Sequence, residues 1–106
     1  MKKGGKMRCK VKVKVITYAT SVFVQLEGSE IGLAYDGDKL YRATKEIIIA
    51  DCVLDLVFQC NGFNGTDWEI SVILNDAQKP LFKKKGSILK KNFSLIRESI
   101  KIPGCK

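Results

Sequence analysis

The feature that most constrains this chain is an alternation of apolar and polar side chains with a period of two. Within residues 61–75, Trp68, Ile70, Val72 and Leu74 alternate with Asp67, Glu69, Ser71 and Asn75, and only Ile73 is out of phase. Successive side chains of an extended strand point to opposite faces, so this run predicts a strand with one buried face. It is fed by Asn61-Gly62-Phe63-Asn64-Gly65-Thr66, a stretch rich in turn residues. The same period recurs in residues 8–19, where Cys9, Val11, Val13, Val15 and Thr17 alternate with Lys10, Lys12, Lys14, Ile16 and Tyr18. Val22, Val24 and Leu26 continue it, so the two runs read as one long strand that bends near Thr20 and Ser21.

Turn signals separate the remaining runs. Gly28-Ser29 turns the chain into residues 31–35, and Asp36-Gly37 predicts a tight hairpin, because a primed turn needs positive φ at its centre. Residues 46–60 are the most apolar region and read as two core strands broken near Ala50-Asp51-Cys52. Their β-branched Ile47, Ile48, Ile49 and Val53 disfavour a helix. Lys83-Lys84-Lys85-Gly86 reads as a basic turn, and residues 93–102 change phase after Leu95, which a bulge near Arg97 and Glu98 would reconcile. Short strands with regular turns and no convincing helix predict an all-β fold. The expectation is an antiparallel β-sandwich, immunoglobulin-like or jelly-roll-like, with a small closed β-barrel as the alternative.

A chain of 106 residues makes one domain, able to bury roughly 65% of its unfolded surface without staples. That domain is expected over residues 8–106, behind a basic, flexible leader of residues 1–7. The leader has the charge of a secretory n-region but no apolar segment follows it, and Met7 could itself be the natural start. No apolar run reaches the ~18 residues that span a bilayer. The expectation is a soluble protein, with a secreted or cell-surface setting weighed slightly above the cytoplasm.

The net charge of +8 is unevenly spread. Residues 1–14 carry seven cations and no acid, residues 15–78 three cations and ten acids, and residues 79–106 nine cations and one acid, Glu98. If the terminal strands were neighbours they would form one basic face, suited to nucleic acid or an anionic glycan or lipid. The candidate anion-binding residues are Lys10, Lys12, Lys14, Lys83, Lys84, Lys85, Lys90 and Lys91. The competing reading is a solvated surface with lysines guarding exposed strand edges.

Of the four cysteines, Cys9 and Cys105 sit near the two ends and could bridge, whereas Cys52 and Cys60 read as buried free thiols. No C-x-x-C pair and no histidine occurs, so no metal site or cofactor is expected. Asp36-Gly37-Asp38 lacks the further ligands of a calcium loop and is explained by turn chemistry. The missing histidine also removes the commonest general base and the usual serine and cysteine triads. A carboxylate pair drawn from Asp51, Asp55, Asp67 and Glu69 has no pattern that sets it across a cleft. No enzymatic activity is expected.

The best local case for recognition is the loop at residues 61–68. There Asn61, Phe63, Asn64, Asp67 and Trp68 combine an aromatic platform with short polar groups, the chemistry of a carbohydrate or protein site. Against it, Trp68 is in phase with Ile70 and Val72, which would use it to close the core. The leading expectation is therefore a non-catalytic recognition or adhesion module for protein or carbohydrate. The alternatives are a polyanion-binding protein and a homo-oligomeric structural subunit that pairs through residues 8–19.

Overall fold

A computed structural model describes residues 7–104. Nine strands run β1 (Met7–Thr17), β2 (Ser21–Leu26), β3 (Ser29–Ile31), β4 (Ala34–Tyr35), β5 (Leu40–Ile49), β6 (Val53–Asn61), β7 (Asp67–Leu74), β8 (Phe82–Ser87) and β9 (Phe93–Lys101). They form two antiparallel sheets, one ordered β4-β5-β1-β7-β8 and the other β3-β2-β6-β9. The sheets pack into a β-sandwich and do not close into a barrel.

Alternation builds the core as the sequence predicts. Cys9, Val11, Val13, Val15 and Thr17 of β1 are buried, and Ile70 and Val72 of β7 lie beside them in the same sheet. Val24, Leu26, Leu54, Leu56, Phe58 and Cys60 form the buried layer of the second sheet. Each fully buried side chain of this size contributes about 1.5–3 kcal/mol relative to exposure. The hairpin at residues 36–39 also forms. Asp36 N donates to Leu40 O at 2.7 Å, and Gly37, Asp38 and Lys39 all have positive φ, so three residues rather than two make the turn.

Several expectations are corrected. Residues 8–19 are not an edge strand: β1 is hydrogen-bonded to β5 on one side and, from Val11 to Thr17, to β7 on the other, so most of its length has no free edge for assembly. Nor is it one bent strand with β2, because the chain changes sheets at residues 18–20. Thr17 holds that corner, its buried hydroxyl donating to Asp67 O at 2.8 Å and accepting from Ala19 N at 3.1 Å. Met7 already belongs to β1, opposite Ile49; the rest of the expected leader, residues 1–6, lies outside the described residues.

The lysine run is strand β8, not a turn, and β9 pairs with β6 without a bulge from Val53↔Lys101 to Asn61↔Phe93. Phe93 and Leu95 break the expected phase because they point outward, with Leu95 and Phe23 flanking Gln59 on the outer face of the second sheet. The terminal strands are not neighbours either, since β1 is central in one sheet and β9 borders the other.

Cys9 is a free thiol pointing into the core with Val11, so it does not form the bridge that neighbouring terminal strands would have allowed; Cys105 lies outside the described residues. Cys60 is free and buried as expected, and burial pushes its thiol up to about 11. Cys52, expected as a buried thiol, is instead disulfide-bonded, at a turn position with φ 61°.

Candidate functional site

Strand direction gathers four loops at one end of the sandwich. β1, β4, β6 and β8 finish there, and β2, β5, β7 and β9 begin there, so residues 18–20, 36–39, 62–66 and 88–92 form one surface. Backbone hydrogen bonds tie these loops together. Thr17 N donates to Lys39 O at 2.9 Å, Thr20 N to Asn61 O at 2.7 Å and Gly62 N to Asn92 O at 2.9 Å. Gly65 N donates to Ile88 O at 2.6 Å, and Ile88 N to Thr66 O at 2.8 Å. Gly62 permits this closeness, since a Cβ there would stand 3.1 Å from Ala19 Cα. Ile88 is fully buried and anchors its loop from below.

On this braced surface stand the three most exposed large apolar side chains among the described residues. Phe63 is 83% exposed, Leu89 77% and Tyr18 74%, each on a different loop. Lys39 Nζ lies 4.9 Å from the Tyr18 ring centroid, a cation–π contact that fixes the ring. Tyr35 stands exposed beside them, its ring 5.0 Å from that of Tyr41. Lys90 and Lys91 are exposed next to Leu89, and loops 62–66 and 88–92 contain no acid.

Of the five expected recognition residues, Phe63 alone projects freely. Asn61 Nδ2 donates to Ser21 Oγ at 2.9 Å, and Asn64 Oδ1 accepts from Asn92 N at 3.1 Å, so both serve the loop framework. Trp68 is only 5% exposed and tilts 55° against Phe58 at 5.1 Å, closing the core. Its indole nitrogen is buried without a hydrogen-bond partner. Gly86 makes room for that ring, for a Cβ there would lie 2.7 Å from Trp68 Cζ2. Asp67 Oδ1 accepts from Ser87 Oγ at 2.5 Å.

Asp67 also lines an open cleft of 690 Å³ beside the loops, with Tyr18, Lys39, Thr66, Glu69, Lys85 and Ser87 around it. An aromatic ring, two carboxylates and two amines there can hold a small polar ligand through hydrogen bonds.

The eight candidate cations separate. Lys10, Lys12, Lys14, Lys83 and Lys85 share the outer face of the first sheet, where Ser71 separates Lys14 from Lys83. Three of these five meet a carboxylate, and two of the three share one. Asp76 lies 2.5 Å from Lys10 and 2.8 Å from Lys12, and Glu69 lies 3.2 Å from Lys83. Lys84 points the other way to Glu98 at 3.1 Å, while Lys90 and Lys91 belong to the loop end.

Tyr18 and Leu89 are the surface residues that the sequence reading missed. Their signal was phase, since Tyr18 falls among the outward lysines of β1 and Leu89 directly follows the inward Ile88. Among the described residues, no cluster of three or more His, Cys, Asp or Glu could hold a metal ion. No family model, curated protein or solved structure matches this chain.

Proposed function

We propose that the protein is a non-catalytic recognition module that docks a protein partner through its loop end. One observation carries this reading: Tyr18, Phe63 and Leu89 come from three separate loops to one surface, where they support neither the core nor a turn. Exposed aromatic and aliphatic anchors on a rigid base suit a binding hot spot, because little ordering entropy is lost on docking. Lys39, Lys90 and Lys91 around them favour a partner with an acidic rim. The non-catalytic reading is supported by the use of the carboxylates in structure. Asp36, Glu46, Glu69, Asp76 and Glu98 are in ion pairs, and Asp51, Asp55 and Asp67 hold neighbouring hydrogen-bond donors.

A second reading, a carbohydrate in the cleft beside Tyr18, is favoured by its mixture of one ring with acids, amines and hydroxyls. Polyanion binding by the outer face ranks lower, because Asp76 and Glu69 already occupy Lys10, Lys12 and Lys83. The disulfide at Cys52 favours an oxidising, extracytoplasmic setting. Protein isolated from its own source and alkylated while denatured should show two reactive thiols before reduction and four after it. Four before reduction would overturn that setting.

The docking proposal is tested by placing a photo-crosslinking side chain at Phe63 or, as a control, at Gln78 on the opposite end, in native extract. A partner captured from Phe63, lost on Leu89→Ser and absent from Gln78 supports it. Equal capture from both positions overturns it, and a glycan whose binding shifts Tyr18 and Lys85 resonances but not Phe63 selects the cleft instead.

A further inference from the structure

The borders of the two sheets are not closed alike. β4 and β3 are two and three residues long. β8 carries Lys83, Lys84 and Lys85 and is tied to β9 by the Lys84–Glu98 ion pair and by Ser94 Oγ donating to Ser87 O at 3.3 Å. Short and lysine-bearing edges resist pairing with other chains. β5 differs: β4 pairs only with its Tyr41 and Arg42, and on that side residues 44–49 have no strand beside them among the described residues. This open border includes Ile47, Ile48 and Ile49, with Ile48 54% exposed.

The direction of its free backbone groups follows from the hairpin. Leu40 O accepts from Asp36 N and Leu40 N donates to Gly37 O, both on the β4 side, whereas Lys39 O faces β1 and accepts from Thr17 N. Alternate residues of a strand aim both groups to the same side. Thr44, Glu46 and Ile48 therefore offer N–H and C=O to the open border.

We infer that this border pairs with the same border of a second copy, β5 against β5, antiparallel about a two-fold axis at Ile47. Opposed residues must share a face, so the axis has to pass through a residue. An axis at Glu46 would oppose two glutamates, and one at Lys45 two lysines, both unfavourable. At Ile47, Glu46 lies opposite Ile48 and Lys45 opposite Ile49, so no like charges meet. The register ends where it must, because Arg42 is already taken by β4 and β5 stops at Ile49. Roughly four backbone hydrogen bonds form between Glu46 and Ile48 of the two copies. The outcome is one continuous ten-stranded sheet, five strands from each copy.

β5 begins at the loop end and runs away from it, so antiparallel pairing points the two loop ends in opposite directions. The pairing stands without the docking reading; its consequence, a bivalent linker between two partners, rests on it.

The experiment is sedimentation velocity of the full chain over a wide concentration range, with three variants. The wild type should dimerise with concentration. Glu46→Pro removes a donor that faces the open border and spares the ladder to β1, so it should give monomer. In a Cys9→Ala background, which removes the free thiol opposite residue 47 on β1, Ile47→Cys should oxidise to a linked dimer, because its Cα atoms meet at about 4.5–5.5 Å across the axis. Lys45→Cys should not, its copies lying ~14 Å apart along the strands. A monomer at every concentration overturns the inference, as does a dimer that survives Glu46→Pro or that Lys45→Cys links as readily as Ile47→Cys. The cysteine pair decides the matter even where Glu46→Pro lowers the yield of folded protein. Loss of partner capture at Phe63 with the dimer intact would overturn the docking reading alone.

Discussion

The two ends of the sandwich contain the same kinds of turn residue, yet among the described residues only the loop end adds large apolar side chains that are more than 70% exposed. At the far end, Glu27 Oε2 accepts from Asp55 N at 2.7 Å, Asp51 Oδ1 from Val53 N at 3.2 Å and Asn75 Oδ1 from Lys10 N at 2.9 Å. Asp76 there holds Lys10 and Lys12. The loop end uses Asn61 and Asn64 in the same manner, then adds Tyr18, Phe63 and Leu89, whose apolar surfaces face solvent. Polar turn residues therefore do not mark a functional end, since turns need them everywhere. Exposed apolar side chains on a well-braced backbone are the more informative sign.

The sharpest test of this contrast sets Trp68 against Phe63, five residues apart on one loop and strand. Trp68→Ala should cost about 3–5 kcal/mol in denaturant unfolding, because it empties the closed end of the core beside Phe58. Phe63→Ala should stay within about 0.5 kcal/mol of wild type, because its ring touches little. Comparable losses would mean that Phe63 belongs to the core, and the contrast would collapse. Gly86→Ala comes next. Its Cβ would press on the Trp68 ring at 2.7 Å, and overpacking of this kind costs about 1–3 kcal/mol. Combining Gly86→Ala with Trp68→Leu, whose smaller side chain leaves room, should recover part of that loss in the same unfolding assay.

Much of the framework was legible before the fold was known, and the failures have physical causes. β1, β6 and β7 announced themselves because each presents one face to the core, so burial imprinted a period of two on Val11 to Val15, Leu54 to Cys60 and Trp68 to Val72. β8 did not, because Lys83, Lys84 and Lys85 lie at a border where the inward position also reaches water and Lys84 can serve there as an ion-pair partner. Phe93 and Leu95 misled in the opposite sense, as apolar residues on an outer face. The central place of β1 was out of reach because strand order depends on pairings between residues far apart in sequence. The loop end was half legible: the stretch at residues 61–68 supplied one of its loops and the exposed Phe63, but phase was applied to Trp68 and not to Tyr18 or Leu89.

A smaller effect tests whether the polar residues of the two ends are truly equivalent. Asn64→Ala removes the acceptor for Asn92 N, and Asn75→Ala the acceptor for Lys10 N. Each should cost about 0.5–1.5 kcal/mol by thermal or urea unfolding, with the two values close together. If Asn64→Ala were neutral and instead weakened partner capture, Asn64 would move from the framework to the recognition surface.

The smallest effect belongs to Asp76, and its sign follows from its neighbours. Hydrogen bonds from Lys10 and Lys12 hold its carboxyl down at about 2, against an ordinary 3.8. A carboxylate whose folded pKa is depressed binds fewer protons in the folded chain, so its contribution is complete above the unfolded value and fades as pH falls through the folded one. Wild type should therefore melt slightly above Asp76→Asn at pH values over 3.8, and the gap should close as pH drops towards 2. Asp76 is solvent-exposed, so added salt should narrow the gap at neutral pH as well. A gap that persisted to pH 2 would assign the effect to something other than the lysine pairing. If no gap appeared at any pH, the pairing of Asp76 with Lys10 and Lys12 would contribute nothing to stability. The outer lysines would then be free to meet an external anion, which would raise the polyanion reading over docking at the opposite end.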